Sequence, residues 1–136
     1  MKLFLDTNVV LDLLAKRDLF YDSIAKIATL ADKKELQLVA SAITFTTTNY
    51  ILSRHESQEV VLNKLRKFKI ICEVSAVDEN VIEKALNSSF KDFEDAVQYF
   101  SAIESNCQII ITRNGKDFKE SEMPIMTADE YLSSRQ

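Results

Sequence analysis

From Lys2 the chain runs apolar through Leu5, meets Asp6, and then changes period, with Val9, Val10, Leu13 and Leu14 recurring at helical spacing in TNVVLDLLAKR. The pattern predicts a strand over 2–6 that turns directly into a helix, with Asn8 as its N-cap. A second helix is predicted over about 20–34, with Phe20, Ile24, Ile27, Ala28 and Leu30 or Ala31 on one face, and QLVAS (37–41) reads as the next strand. Helices over 43–53 and 56–68 follow. The second turns Val60, Val61, Leu65 and Phe68 inward and Lys64, Arg66 and Lys67 outward.

KIICEVSAV (69–77) has β-branched strand character, and Asp78 is placed to cap a helix over 79–88. Ser89 and Asp92 form an S-x-x-D pattern ahead of a helix over about 90–105, whose apolar stripe is Phe93, Ala96, Val97, Phe100 and Ile103. QIIIT (108–112) is a continuous β-branched run, the mark of a strand covered on both faces. RNGKDF then reads as a turn and a short helical piece, MPIMT (123–127) as a last strand, and Thr127 to Glu130 as a capping box. With no repeat or linker, one domain over 1–136 is expected. Strands alternating with helices imply parallel pairing through right-handed crossovers, hence a three-layer α/β/α sandwich with a mainly parallel central sheet.

Composition narrows this picture. One Gly and one Pro in 136 residues leave few breakers for an all-β design. Cys72 and Cys107 lie in apolar runs without ligand spacing, so they read as core thiols in a reducing, cytoplasmic setting. No window reaches the roughly 18 uncharged residues of a membrane span. A net charge of −4 argues against a general nucleic-acid coat but leaves a nuclease open, provided its acids gather where a metal offsets them.

In parallel α/β sheets, sites form beyond the carboxyl ends of the strands. Asp6 ends the first strand, and Asp117 lies a few residues past QIIIT. Asp92 and Asp95, three apart at the start of a helix, share a stripe with Tyr99 offset from the apolar face. If that helix begins at the same edge, these acids meet. Two carboxylates about 5 Å apart repel by roughly 3 kcal/mol at an effective dielectric near 20, so the cluster must hold protons, recruit cations or bind a metal. Hard oxygen ligands suit Mg²⁺ or Mn²⁺, and such a site carries metal-assisted phosphodiester hydrolysis. Thr7, Asn8, Thr112 and Asn114 would then orient carboxylates and waters. Plainer roles stand beside these: Asp6 as a cap, Asp92 as a helix-start acid, Asp117 as a turn acid. The lone His55 has no nucleophile partner in a short motif and reads as a surface residue.

FLDTNVVLDLL (4–14), SAIT (41–44), DFEDAVQYFSA (92–102) and IIITRNGKDF (109–118) occur in the order and spacing of the PIN-domain ribonucleases, and the chain resembles the small VapC-type toxins among them. The likeness spans nearly the whole chain. It implies a PIN fold, a Mg²⁺- or Mn²⁺-dependent site, RNA as substrate, and the toxin role in a toxin–antitoxin pair. Carried over by position, it assigns metal binding to Asp6, Asp95 and Asp117, with Asp92 as an additional acid. The family's usual second acid falls at Thr47, which is neutral; its hydroxyl would at most orient a water. Lys91, Arg113, Lys116 and Lys119 lie nearest the site and are the candidates for RNA phosphates.

Two other functions remain open on the sequence. Thr47 in place of an acid suits a PIN-like module that binds RNA or protein without catalysis. A strand ending in Asp also opens the haloacid-dehalogenase phosphatases, but their motif needs a second Asp where Asn8 stands. A protein antitoxin and a homodimer are the partners expected; the apolar helices at 9–15 and 20–31 offer surfaces for either, and the same stripes read equally as core.

Overall fold

The computed structural model describes residues 1–135, so Gln136, the last residue of the expected domain, lies outside it. Five parallel strands form one sheet: β1 (Lys2–Leu5), β2 (Gln37–Ser41), β3 (Cys72–Ser75), β4 (Ile109–Ile111) and β5 (Ile125–Met126), in the order β3-β2-β1-β4-β5. The central strands are apolar without interruption because both faces are covered. Leu3, Leu5, Leu38, Ala40, Ile109 and Ile111 face one layer, and Phe4, Val39 and Ile110 face the other.

The first layer comprises α1 (Thr7–Leu14), α2 (Tyr21–Asp32), α3 (Ala42–Leu52), α4 (Gln58–Ile71) and α7 (Ala128–Ser134). They contribute Val9, Val10, Ile24, Ile27, Phe45, Phe68 and Tyr131 to the core. The opposite layer is built on α5 (Glu79–Leu86) and α6 (Phe93–Glu104), with Tyr99, Ala102, Phe118 and Met123 on the sheet and Val81, Ala85, Ala96 and Val97 joining the two helices. The expected three-layer sandwich is thus found, with a sheet that is parallel throughout.

Several boundaries differ from expectation for local reasons. Residues 69–71 are helical, because the inward positions Val61, Phe68 and Cys72 continue the helical period; the chain becomes extended only at Cys72 and pairs with Leu38. Val60 is exposed, as the buried stripe runs through Val61. In α6, Phe93 and Ile103 are exposed, while Tyr99 and Ala102 are buried. That helix packs against both the sheet and α5, so its buried face sits further round than a single stripe predicts. Tyr99 consequently leaves the acidic stripe for the core, where it stacks near Phe90 and its hydroxyl accepts from the Glu122 amide at 3.1 Å.

With a single glycine in the chain, three helix ends use other residues in the left-handed region: Lys16 (φ 51°), Lys34 (φ 64°) and Asn106 (φ 61°). After α2, the Glu35 amide bonds back to the Leu30 carbonyl at 2.9 Å, and after α6 the Cys107 amide reaches the Ala102 carbonyl at 3.1 Å. Those are the closing bonds of a Schellman turn.

Candidate active site at the carboxyl edge of the sheet

Asp6 leaves β1 with an amide bond to the Ile111 carbonyl (3.0 Å) and extended torsions, φ −69° and ψ 157°. It is therefore Asp6, not Asn8, that caps α1, its carboxylate accepting from the Thr7 amide at 2.8 Å. The other oxygen accepts from the Thr112 hydroxyl (2.8 Å) and from the Asn8 side-chain amide (3.3 Å). Asn8 is held in turn by the Arg113 amide, which donates to its carbonyl oxygen at 3.4 Å. Burial pushes Asp6 above the usual carboxylate range. Bonds from Thr112 and Thr7, and more weakly the Gln98 amide, oppose that rise, while the charge of Asp117 adds to it.

Asp95 sits in the first turn of α6, whose N-cap is Asp92: the Asp92 carboxylate accepts from the Asp95 amide at 3.0 Å. Ser89 lies outside the helix and takes no part in the cap. Half-buried, the Asp95 carboxyl is pushed up to about 7, first by desolvation and then by the charges of Asp92, Asp117, Asp6 and Glu94. Asp92, Asp95 and Asp117 line a cleft of about 230 Å³ together with Lys91, Lys116, Lys119 and Glu120. Asp6, Asp92, Asp95 and Asp117 therefore share one electrostatic neighbourhood at the sheet edge. Among the described residues, none of those three lysines is ion-paired.

Thr112 and Asn114 shape the loop after β4. The Thr112 hydroxyl accepts from the Asn114 amide at 3.1 Å, and the Asn114 carbonyl accepts from the Asp117 amide at 2.9 Å, which opens the 3-10 turn Gly115–Phe118 carrying Asp117. Thr7 bonds Thr44 hydroxyl to hydroxyl at 2.9 Å. The threonine of α3 that joins the site is thus Thr44; Thr47, one turn on, makes no side-chain hydrogen bond among the described residues, and Thr46 bonds back to the Ile43 carbonyl at 3.0 Å.

Arg113 departs from its expected role. Its guanidinium is taken up by the buried Asp12, at 2.7 and 3.3 Å, and stacks over the Phe20 ring with its centre 4.1 Å from the centroid. An arginine committed to a buried carboxylate is a structural tie rather than a free phosphate ligand. Lys64, expected to point outward, bonds the Leu14 carbonyl (3.1 Å) and Glu56. His55 is exposed, as expected, and Cys72 and Cys107 are buried and unpaired.

Sequence reasoning missed two polar residues. Asp12 hides in the helical run after DTN. Gln98 occupies a buried position of α6, where its carbonyl oxygen accepts from Ser41 and its amide donates to Thr44 at 2.8 Å and Thr7 at 3.4 Å. The one available signal was an amide set among apolar residues three positions after Asp95.

The donor chemistry fits a hard dication: carboxylate oxygens with surplus negative charge, and neither thiolate nor imidazole among them. Among the described residues, however, no three acidic, His or Cys side chains are already gathered into a ready-made ion site.

Comparisons with known proteins agree with this architecture. The PIN-domain family model matches residues 2–116. Ribonuclease VapC1 of Aquifex aeolicus (strain VF5) is 26% identical over 135 residues, covering 96% of this chain and 92% of that protein. Among solved structures, VapBC2 from Rickettsia felis bound to a DNA fragment from their promoter contains a chain that superposes with a TM-score of 0.71 at 21% identity, over 93% of this chain and 97% of that one. A toxin-antitoxin complex from Klebsiella pneumoniae gives 0.68 at 20% identity, over 94% and 98%. With the family match covering residues 2–116 and ending one residue before Asp117, this chain belongs to the PIN-domain family.

Proposed function

We propose that this protein is a divalent-metal-dependent endoribonuclease and the toxin of a toxin–antitoxin pair, using Asp6, Asp95 and Asp117 as metal ligands and Asp92 beside them. The observation that carries the reading is the gathering of Asp92, Asp95 and Asp117 along one cleft at the sheet edge. Asp95 reports the crowding. Its carboxyl is pushed up to about 7, first by burial and then by four surrounding acids, while among the described residues the neighbouring lysines form no ion pairs that would relieve them. A cluster of this kind stores repulsion that a dication relieves.

When bound, Mg²⁺ or Mn²⁺ supplies charge neutralisation at the scissile phosphate and a more acidic attacking water. The chain's own residues do the rest. Thr112, Thr7 and Asn8 fix the Asp6 carboxylate in one orientation, so little reorganisation remains when the reaction begins. Lys91, Lys116 and Lys119 border the cleft and suit the flanking phosphates of a single strand. The relative from Aquifex aeolicus, a ribonuclease, supports RNA as the substrate, and the solved complexes support a protein antitoxin. Exposed Leu19 and Phe20, just ahead of α2, offer apolar surface to such a partner or to a second copy in a homodimer. One shared sheet between two covered layers supports a single PIN unit over 1–136, and the unbridged buried cysteines suit a cytoplasmic setting. No described helix is long and apolar enough to cross a membrane.

The test is cleavage of a diverse RNA panel at millimolar Mn²⁺ by the purified chain, by Asp6→Asn and by Asp95→Asn. Cleavage lost in both variants is the expected result, and a panel left intact by the unaltered protein overturns the proposal. The neutral Thr47, with the lack of a ready-made ion site, favours a second reading as a non-catalytic RNA- or protein-binding module. Calorimetric titration separates the two, since absence of Mn²⁺ or Mg²⁺ binding selects the module.

A further inference from the structure

We propose that Gln98 is a positioning residue that sets the spacing between Asp6 and Asp95, an inference that rests on the nuclease reading above. Gln98 is 1% exposed, on a helix whose neighbouring buried positions are Val97, Tyr99 and Ala102. An amide buried there is costly unless every donor and acceptor is met, and an apolar residue would pack more simply. Its partners all come from other elements. Ser41 ends β2 and caps α3, accepting from the Thr44 amide at 3.2 Å; Thr44 lies in the first turn of α3; Thr7 opens α1 beside Asp6.

One side chain of α6 thus ties together two strand-to-helix junctions, at the ends of β1 and β2, from the opposite face of the sheet. Asp95 stands three residues earlier on that helix. Asp6 is held chiefly by the bonds from Thr112 and Thr7, to which the Gln98 amide adds weakly, whereas the position of Asp95 relative to it depends on where the start of α6 is pinned. Apolar burial of Tyr99 and Ala102 is non-directional and by itself specifies no oxygen-to-oxygen distance. The oxygen shell of a small dication requires one.

The experiment is Mn²⁺ titration by calorimetry on the full chain, comparing the unaltered protein with Gln98→Met, Thr44→Val and Ser101→Ala, each checked for folding by circular dichroism. Ser101 is the control, since it makes the other buried polar tie of α6, to Ser75 at 2.6 Å and the Ala76 carbonyl at 2.8 Å, away from the acids. Gln98→Met is expected to weaken Mn²⁺ binding about tenfold or more and to lower kcat while leaving KM for a short RNA within about twofold. Ser101→Ala is expected to lower Tm but keep the Mn²⁺ affinity. If Gln98→Met does not fold, Thr44→Val carries the comparison. A folded Gln98→Met or Thr44→Val that binds Mn²⁺ like the unaltered protein overturns this inference alone. An unaltered protein that binds no Mn²⁺ overturns it together with the nuclease reading.

Discussion

Thr112 donates its hydroxyl to Asp6 at 2.8 Å across 106 positions of chain. The bond joins the ends of β1 and β4, which are neighbours in the sheet, so the first acid is oriented by the strand that leads to the last. Removing the hydroxyl while keeping the shape, in Thr112→Val, is expected to lower cleavage about 10- to 100-fold with the fold retained, and Thr112→Ser to keep most activity. Initial rates on one RNA oligomer decide it; a Thr112→Val enzyme at full rate would remove Thr112 from the site.

Asp95 links activity to stability. Its folded pKa, about 7, lies above the ordinary aspartate value of 3.8, so the folded chain binds more protons between those values than the unfolded one. The stability associated with the protonated carboxyl is therefore full below about pH 4 and is lost as pH rises through about 7. Asp95→Asn removes that loss. Thermal melts without divalent ions should show the variant more stable than the unaltered protein near pH 8, with the difference fading toward pH 4. Equal melting temperatures near pH 8 would mean that neither burial nor the neighbouring acids raise Asp95.

Arg113 and the cleft lysines should separate cleanly. Asp12 has a side chain 3% exposed and holds both Arg113 at 2.7 Å and Arg17 at 3.5 Å. Arg113→Met leaves Asp12 with the longer contact alone and should cost about 2–4 kcal/mol in urea denaturation. Lys91→Ala and Lys116→Ala should leave stability within about 0.5 kcal/mol yet weaken RNA binding and flatten its salt dependence. An unchanged salt slope in the double lysine variant would place RNA elsewhere.

Lys34 offers a test of the fold independent of the site. Its φ of 64° is strained for any residue with a Cβ, and Lys34→Gly should stabilise the protein by about 0.5–1 kcal/mol, or roughly 2–5 °C in Tm. Lys33→Gly, one residue earlier at φ −80°, should instead destabilise. If both changes act in the same direction, the Schellman turn after α2 is not the cause.

Local patterns carried much of this protein. Unbroken apolar runs in KLFL and III predicted strands covered on both sides, and the three-layer parallel architecture follows from strands alternating with helices. D-T-N after the first strand and the acids of 92–95 and 117 were legible as a candidate cluster for the same reason, since parallel strands deliver their carboxyl ends to one edge. Which side chains serve that edge was a tertiary matter. Tyr99 turned into the core because α6 answers to two neighbours at once, and Arg113 was claimed by Asp12, whose burial no periodicity signals. Gln98 and Thr44 found each other across 54 positions and Thr7, beside Asp6, through hydroxyl and amide bonds. Periodicity reports which face of an element is apolar; the partner that a buried polar group finds depends on distances between elements, and those exist only once the layers have packed.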